Sequence, residues 1–137
     1  MIRLDELEWD AVIVVCAISA GIHGALTPEH FSEGTGAGLG FLVATVLLAA
    51  LATVLTVRPP SATALATSGV VLTGLIASYA LAITTGLPVL HPEPEPLDGL
   101  ALGTKAIEAV GLLAAAHLVR RPKPRLTPSP QPRGLLT

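Results

Sequence analysis

The sequence predicts an all-α integral membrane protein, a four-helix transmembrane bundle with its N and C termini cytoplasmic. Three observations carry this. The chain of 137 residues is 51% hydrophobic and only 13% charged, where a soluble domain averages roughly 25% charged residues. Its mean hydropathy is +0.69. Its apolar residues gather into runs of about 20, the length a helix needs to cross the hydrocarbon layer. The length allows one small domain. Ala, Leu, Val, Gly and Thr fill the apolar runs, which suits close helix packing in lipid. Asn is absent and Lys occurs only at positions 105 and 123, while Ala, Gly, Pro and Arg are plentiful; codon bias of this kind is expected of a high-GC bacterial genome.

Residues 1–8 are polar and read as an interfacial turn. The first span is expected over about 9–26, opening on Trp9 where an interfacial aromatic belongs and covering about 27 Å. The stretch before it holds Asp5, Glu6, Glu8 and Asp10 against Arg3. A secretory signal begins positively charged, so the first span is expected to stay in the membrane. Cys16 is the only cysteine, which excludes an internal disulfide; a lone thiol in an apolar run is a small buried hydrophobe.

Thr27-Pro28 then reads as an N-cap with proline at the first helical position, opening a short new helical piece that glycines 34, 36, 38 and 40 break. The alternative is one helix running on through Pro28 with a kink. The second span is expected over about 37–57, with Gly36, Gly40 and Ala44 as a small-residue ridge for a neighbouring helix. Arg58-Pro59-Pro60 ends it. Ser61 caps the third span, about 61–85, which carries its own ridge of Gly74, Ser78 and Ala82. Thr63, Thr67, Ser68 and Thr73 there can bond back to the preceding turn. Alternating prolines make residues 86–99 a stiff, extended loop. The fourth span covers about 100–119. Residues 120–137, rich in Pro and Arg, read as a disordered cytoplasmic tail outside the 1–119 membrane domain.

Orientation follows from the basic residues. Arg3, Arg58, Arg120, Arg121, Lys123, Arg125 and Arg133 fall at the N-terminus, the middle loop or the tail, while loops 27–36 and 86–99 contain no Lys or Arg. The positive-inside rule therefore places both termini in the cytoplasm and those two loops outside, in a multi-pass protein of the cell (cytoplasmic) membrane.

An ionisable side chain within a span costs about 2.5–3.5 kcal/mol on insertion scales, so each one calls for a reason. Lys105 and Glu108 are three apart and pair on one helical face, together with Ala101, Thr104, Gly111 and Ala115; small residues beside a charge pair mark an inward face. His23 shares a face with Cys16, Ser19 and Ala20. His23, Tyr79 and Glu108 are expected at similar depths under the outer surface. The candidate metal ligands are thus His23, Glu29, His30 and Glu108, supported by Glu33, Tyr79, His91 and Lys105. Imidazole with carboxylate suits Zn, Cu, Fe or Mn, and the acidic outer loops would draw in the cation. The plainer reading pairs Glu108 with Lys105, gives His23 a carbonyl partner and leaves the loop histidines solvated. His117, on the opposite face and near the other end, is expected to be interfacial.

Thr27-Pro28-Glu29-His30-Phe31-Ser32-Glu33, preceded by His23, resembles the (A/T)-P-E-H-(L/F)-x-E signature of small four-span membrane proteins of actinobacterial type. Gly86-Leu87-Pro88, Glu95-Pro96-Leu97-Asp98 and Lys105-x2-Glu108 are similar to that family's second half, although the loop lacks a glycine after Leu87-Pro88. The resemblance covers most of residues 20–115 and implies no particular activity. No nucleotide loop, nucleophile triad or cofactor fingerprint occurs, so nothing in the sequence supports an enzyme, although a small polytopic enzyme stays open. The function classes weighed are an outer-facing metal-binding protein for sensing, uptake or delivery, a non-catalytic structural or accessory subunit, and a haem- or quinone-linked redox protein, for which His23 is the one histidine well placed. The partners expected are lipid, further copies of the chain or other membrane subunits, and not nucleic acid.

Overall fold

The computed structural model describes residues 4–58, 61–88 and 92–121. Within them the chain forms four helices: α1 Leu4–Glu33, α2 Thr35–Val57, α3 Ala62–Thr84 and α4 Gly99–Arg120. All four are long and apolar enough to cross a membrane, as in a multi-pass membrane protein. Their outward faces carry Val14, Ile18, Val43, Leu47, Val70 and Leu113, side chains that suit contact with lipid tails.

The first helix departs most from the sequence reading. Residues 4–8 are helical, not an interfacial turn, and α1 continues through Pro28 to Glu33, so of the two readings of Thr27-Pro28 the continuous helix is the one formed. At about 1.5 Å per residue it is about 45 Å long, well beyond the ~30 Å hydrocarbon core. Thr27 does not cap a new helix. Its hydroxyl donates to the carbonyl of His23, one turn back, at 2.8 Å. Pro28 removes one backbone donor, yet packing against α2 holds the last turns of α1 in helical form. The His30 ring stacks on Phe41 at 3.6 Å. Phe31 lies so close to Gly38 that a Cβ there would overlap its ring, which makes glycine a requirement at that position. Only Gly34 breaks the chain, in an extended conformation (φ 172°, ψ 148°). Gly36, Gly38 and Gly40 are inside α2.

The other boundaries fall close to expectation. Ser61 caps α3, accepting from the Ala64 N–H at 3.3 Å. Asp98 caps α4, accepting from the Ala101 N–H at 2.9 Å, a cap the sequence reading did not assign. Thr67, Ser68 and Thr73 bond back to carbonyls four residues earlier. Of the two small-residue ridges, Ala44 and Ala82 are buried, Gly36 and Gly40 are half-buried, and Gly74 and Ser78 are exposed. The α3 ridge therefore points largely away from the bundle. Of the expected tail, Arg120 is the last residue of α4 and Arg121 follows it; residues 122–137 lie outside the described residues.

Sequential helices run antiparallel. The Trp9 indole donates to the Leu55 carbonyl at 3.2 Å, while Gly24 faces Thr45 further along the same pair. Between α1 and α4, a Cβ on Gly111 would sit 2.6 Å from Val15 Cγ1, so glycine sets how closely these two helices approach. Gly69 of α3 faces Leu112 of α4. The core joins Val12, Val15 and Cys16 of α1 to Leu48 and Leu55 of α2, Leu65 and Leu72 of α3, and Ala115 of α4. One end of the bundle, the terminal end, gathers the start of α1, the end of α4 and Arg58. The other, the hairpin end, holds Gly34 and residues 85–88 and 92–98.

Candidate functional site

Two polar layers lie on the hairpin half of the bundle. The deeper one is built on the α1 stripe of Cys16, Ser19, Ala20 and His23, all buried, as the spacing predicts. It faces the α4 stripe of Thr104, Glu108, Gly111 and Ala115, also buried. Glu108 has no exposed surface. Ser19 Oγ donates to its Oε1 at 2.6 Å, and Lys105 Nζ donates to its Oε2 at 2.8 Å. Both carboxylate oxygens therefore have a partner inside the chain, and the ion pair expected from the i,i+3 spacing is formed. Such short contacts are typical of charge-assisted hydrogen bonds, about twice as strong as neutral ones.

Ser19 also links the pair to His23. Its carbonyl lies 2.8 Å from His23 Nδ1. A carbonyl can only accept, so Nδ1 carries the proton and the neutral ring keeps its lone pair on Nε2. The sequence of contacts is Lys105, Glu108, Ser19, His23, spanning α4 and α1. On the α3 side, Lys105 Nζ stands 5.9 Å from the centroid of the Tyr79 ring, at the outer limit of a cation–π contact. The Tyr79 hydroxyl is buried and has no hydrogen-bond partner among the described residues.

The second layer lies nearer the end of α1. His30 Nδ1 is 3.0 Å from the Leu26 carbonyl, so it too carries a proton there, and in the neutral ring the lone pair is on Nε2. Nε2 is 3.9 Å from Glu33 Oε2, with the imidazole side chain 16% exposed and the carboxylate 43% exposed. Phe41 of α2 packs against both imidazoles, stacked on His30 at 3.6 Å and tilted against His23 at 5.2 Å.

The candidate ligands therefore fall into separate groups. His23 and Glu108 are linked through Ser19, with Lys105 and Tyr79 beside them. His30 pairs with Glu33. On a continuous helix His23 and His30 are two turns apart, about 10.5 Å in rise, with Phe41 against both. Glu29 is exposed and lies about 100° round the helix from His30, away from either group. His91 lies outside the described residues. Among the described residues, no group of three or more His, Cys, Asp or Glu side chains could hold a metal ion. The structure thus does not gather His23, Glu29, His30 and Glu108 into one ligand set, because Pro28 does not turn the helix back and Glu108 is already engaged.

Two contributors escaped the sequence reading. Ser19 was placed on the right face but its part as connector depends on the register of α1 against α4. Phe41, one of two phenylalanines, sits just after the glycines of α2 and gave no chemical signal. At the terminal end, His117 Nδ1 is 2.7 Å from Glu8 Oε1, and Arg121 pairs with Asp5 and, at 3.4 Å, with Glu8. His117 is exposed there. No known protein family, curated protein or solved structure is matched by the chain.

Proposed function

We propose that this small membrane protein binds a divalent transition metal at its hairpin end, with His30 Nε2 and the Glu33 carboxylate as the primary ligand pair. The observation that carries the reading is the locked imidazole: His30 Nδ1 is committed to the Leu26 carbonyl, which makes Nε2 the nitrogen a neutral ring offers to a metal, beside a carboxylate. Fixing one ring nitrogen so that the other ligates is how metal-binding histidines are commonly held. His23 is in the same tautomer two turns deeper. At the hairpin end, Glu29 on α1 and Glu93, Glu95 and Asp98 in the loop before α4 stand with no Lys or Arg in residues 27–36 or 86–99, a charge balance that raises the local cation concentration. Imidazole and carboxylate suit Zn, Cu, Fe or Mn. With the basic residues at the other end, the positive-inside rule turns this site outward from the cytoplasmic membrane, where sensing, uptake or delivery of a metal would take place. In this reading Glu108 is not a ligand. It holds α1 and α4 together and, through Ser19, positions the His23 ring.

Metal analysis of the purified full chain, dialysed against Zn(II), tests this. Wild type should retain zinc. His30→Ala and Glu33→Gln should each lose most of it without unfolding. Equal zinc in wild type and His30→Ala would overturn the assignment.

One observation favours a second reading. Glu108, Lys105, Ser19 and His23 satisfy one another within the bundle, as a purely structural polar core does. The protein would then be a non-catalytic accessory subunit, or a homo-oligomer, within a larger membrane assembly. Gentle extraction that yielded only monomers with no co-purifying chain would count against it.

A further inference from the structure

A groove of about 400 Å³ runs between α3 and α4 on the outside of the bundle, in the half nearer the terminal end. Small residues form its floor, among them Gly69 and Ala116, with Val70, Thr73 and Leu112 as walls. Thr73, its only hydroxyl, donates to the Gly69 carbonyl at 2.7 Å. The groove therefore offers hydrocarbon contact along its length and asks for no hydrogen bond. Arg120 closes one end. It lies about 12 Å along α4 from Leu112, at the helix terminus where the chain leaves the hydrocarbon. Its neighbour Arg121 is spent on Asp5 and Glu8. Among the described residues Arg120 makes no ion pair, so one guanidinium stands over the mouth of an apolar channel.

That pairing of features fits one occupant. A zwitterionic lipid would bring its own cation to Arg120. A second copy seated here about a two-fold axis would bring a second Arg120, and no anion, to this end of the groove. An anionic phospholipid meets both features at once, its acyl chain along Gly69 and Ala116 and its phosphate on Arg120, in the fork geometry guanidinium favours. We propose that the α3–α4 groove is a binding site for an anionic phospholipid of the leaflet at the terminal end. The site is independent of the hairpin-end metal pair.

The test uses the full chain reconstituted in vesicles of equal phosphatidylglycerol and phosphatidylcholine with matched acyl chains. Lipids retained after mild extraction are counted by native mass spectrometry. Wild type should retain phosphatidylglycerol over phosphatidylcholine by about fivefold, the preference one basic residue supplies near a membrane surface. Arg120→Gln should bring the ratio to parity. Gly69→Leu and, from the opposite wall, Ala116→Leu should lower phosphatidylglycerol retention with Arg120 intact; helical circular dichroism identifies which variant is folded. No preference in wild type overturns the proposal. So does a preference unchanged in the folded groove-filling variant, which would assign it to basic residues outside the groove. Cross-linking of Ala66→Cys chains to one another in these vesicles, in a Cys16→Ser background, would place a second copy there and also overturn it.

Discussion

Glu108 is the residue whose surroundings decide how the interior is read. A carboxylate with no exposed surface is tolerable because Lys105 and Ser19 occupy both oxygens. Removing one member should therefore cost more than removing the pair. Lys105→Met strands Glu108 and should destabilise the bundle by about 3–5 kcal/mol, whereas Lys105→Met with Glu108→Leu should recover most of that. Cys16, fully buried, provides the readout through its maleimide reactivity across a detergent-denaturation series. If the single and double variants unfold together, the pair is not the constraint claimed. Ser19→Ala should cost less, about 1.5–3 kcal/mol, the range for a hydrogen bond to a charged group. The Lys105–Glu108 pair was legible in the sequence because both residues sit on one helix at a spacing that fixes their contact. Ser19 and Phe41 were not, because their partners are on other helices and depend on the register between them.

At the scale of the element, α1 carries the main correction. Thr27-Pro28 has the local chemistry of a helix start, and in isolation that chemistry would decide. Here the stacking of His30 on Phe41 and the seating of Phe31 on Gly38 outweigh it. Spin labels at Ala17 and Glu33, both exposed, in a Cys16→Ser background should lie about 24 Å apart along a continuous helix, before linker length is added. A distribution centred well below that would restore the break at Thr27-Pro28. The α1–α4 contact makes a separate demand. Gly111→Leu must push its side chain into Val15 and should cost about 1–3 kcal/mol by overpacking. Thermal unfolding followed by Cys16 labelling would show it, and an unchanged midpoint would mean the two helices are not so close.

At the scale of the whole molecule, the bilayer made the fold readable. A solvent that accepts no unpaired backbone leaves helices as the way for an apolar run to cross, so four runs translate into four helices. What hydropathy could not supply is where each helix stops outside the hydrocarbon, since no solvent boundary is felt there. Hence hydropathy predicts a much shorter α1 than the one formed. The metal site suffered most from this. With a break in α1, His23 and His30 would be free to converge; with α1 continuous, they stand two turns apart, with Phe41 packed against both rings. Sidedness is open to a direct check. In intact cells, Cys introduced at Glu33 or Glu95 in a Cys16→Ser background should react with an impermeant maleimide, and Cys at Arg58 should not. The reverse pattern would turn the proposed site inward.

The central claim is a division of labour: His30 and Glu33 take the ion, while Glu108 holds the bundle. Pulsed electron paramagnetic resonance of the Cu(II)-loaded full chain tests it most directly, because the remote nitrogen of a coordinated imidazole modulates the echo. The imidazole modulation should be present in wild type, lost in His30→Ala and retained in Glu108→Gln that remains folded. Modulation that survives in His30→Ala but vanishes in folded Glu108→Gln would contradict the account and return the ligand role to the buried carboxylate.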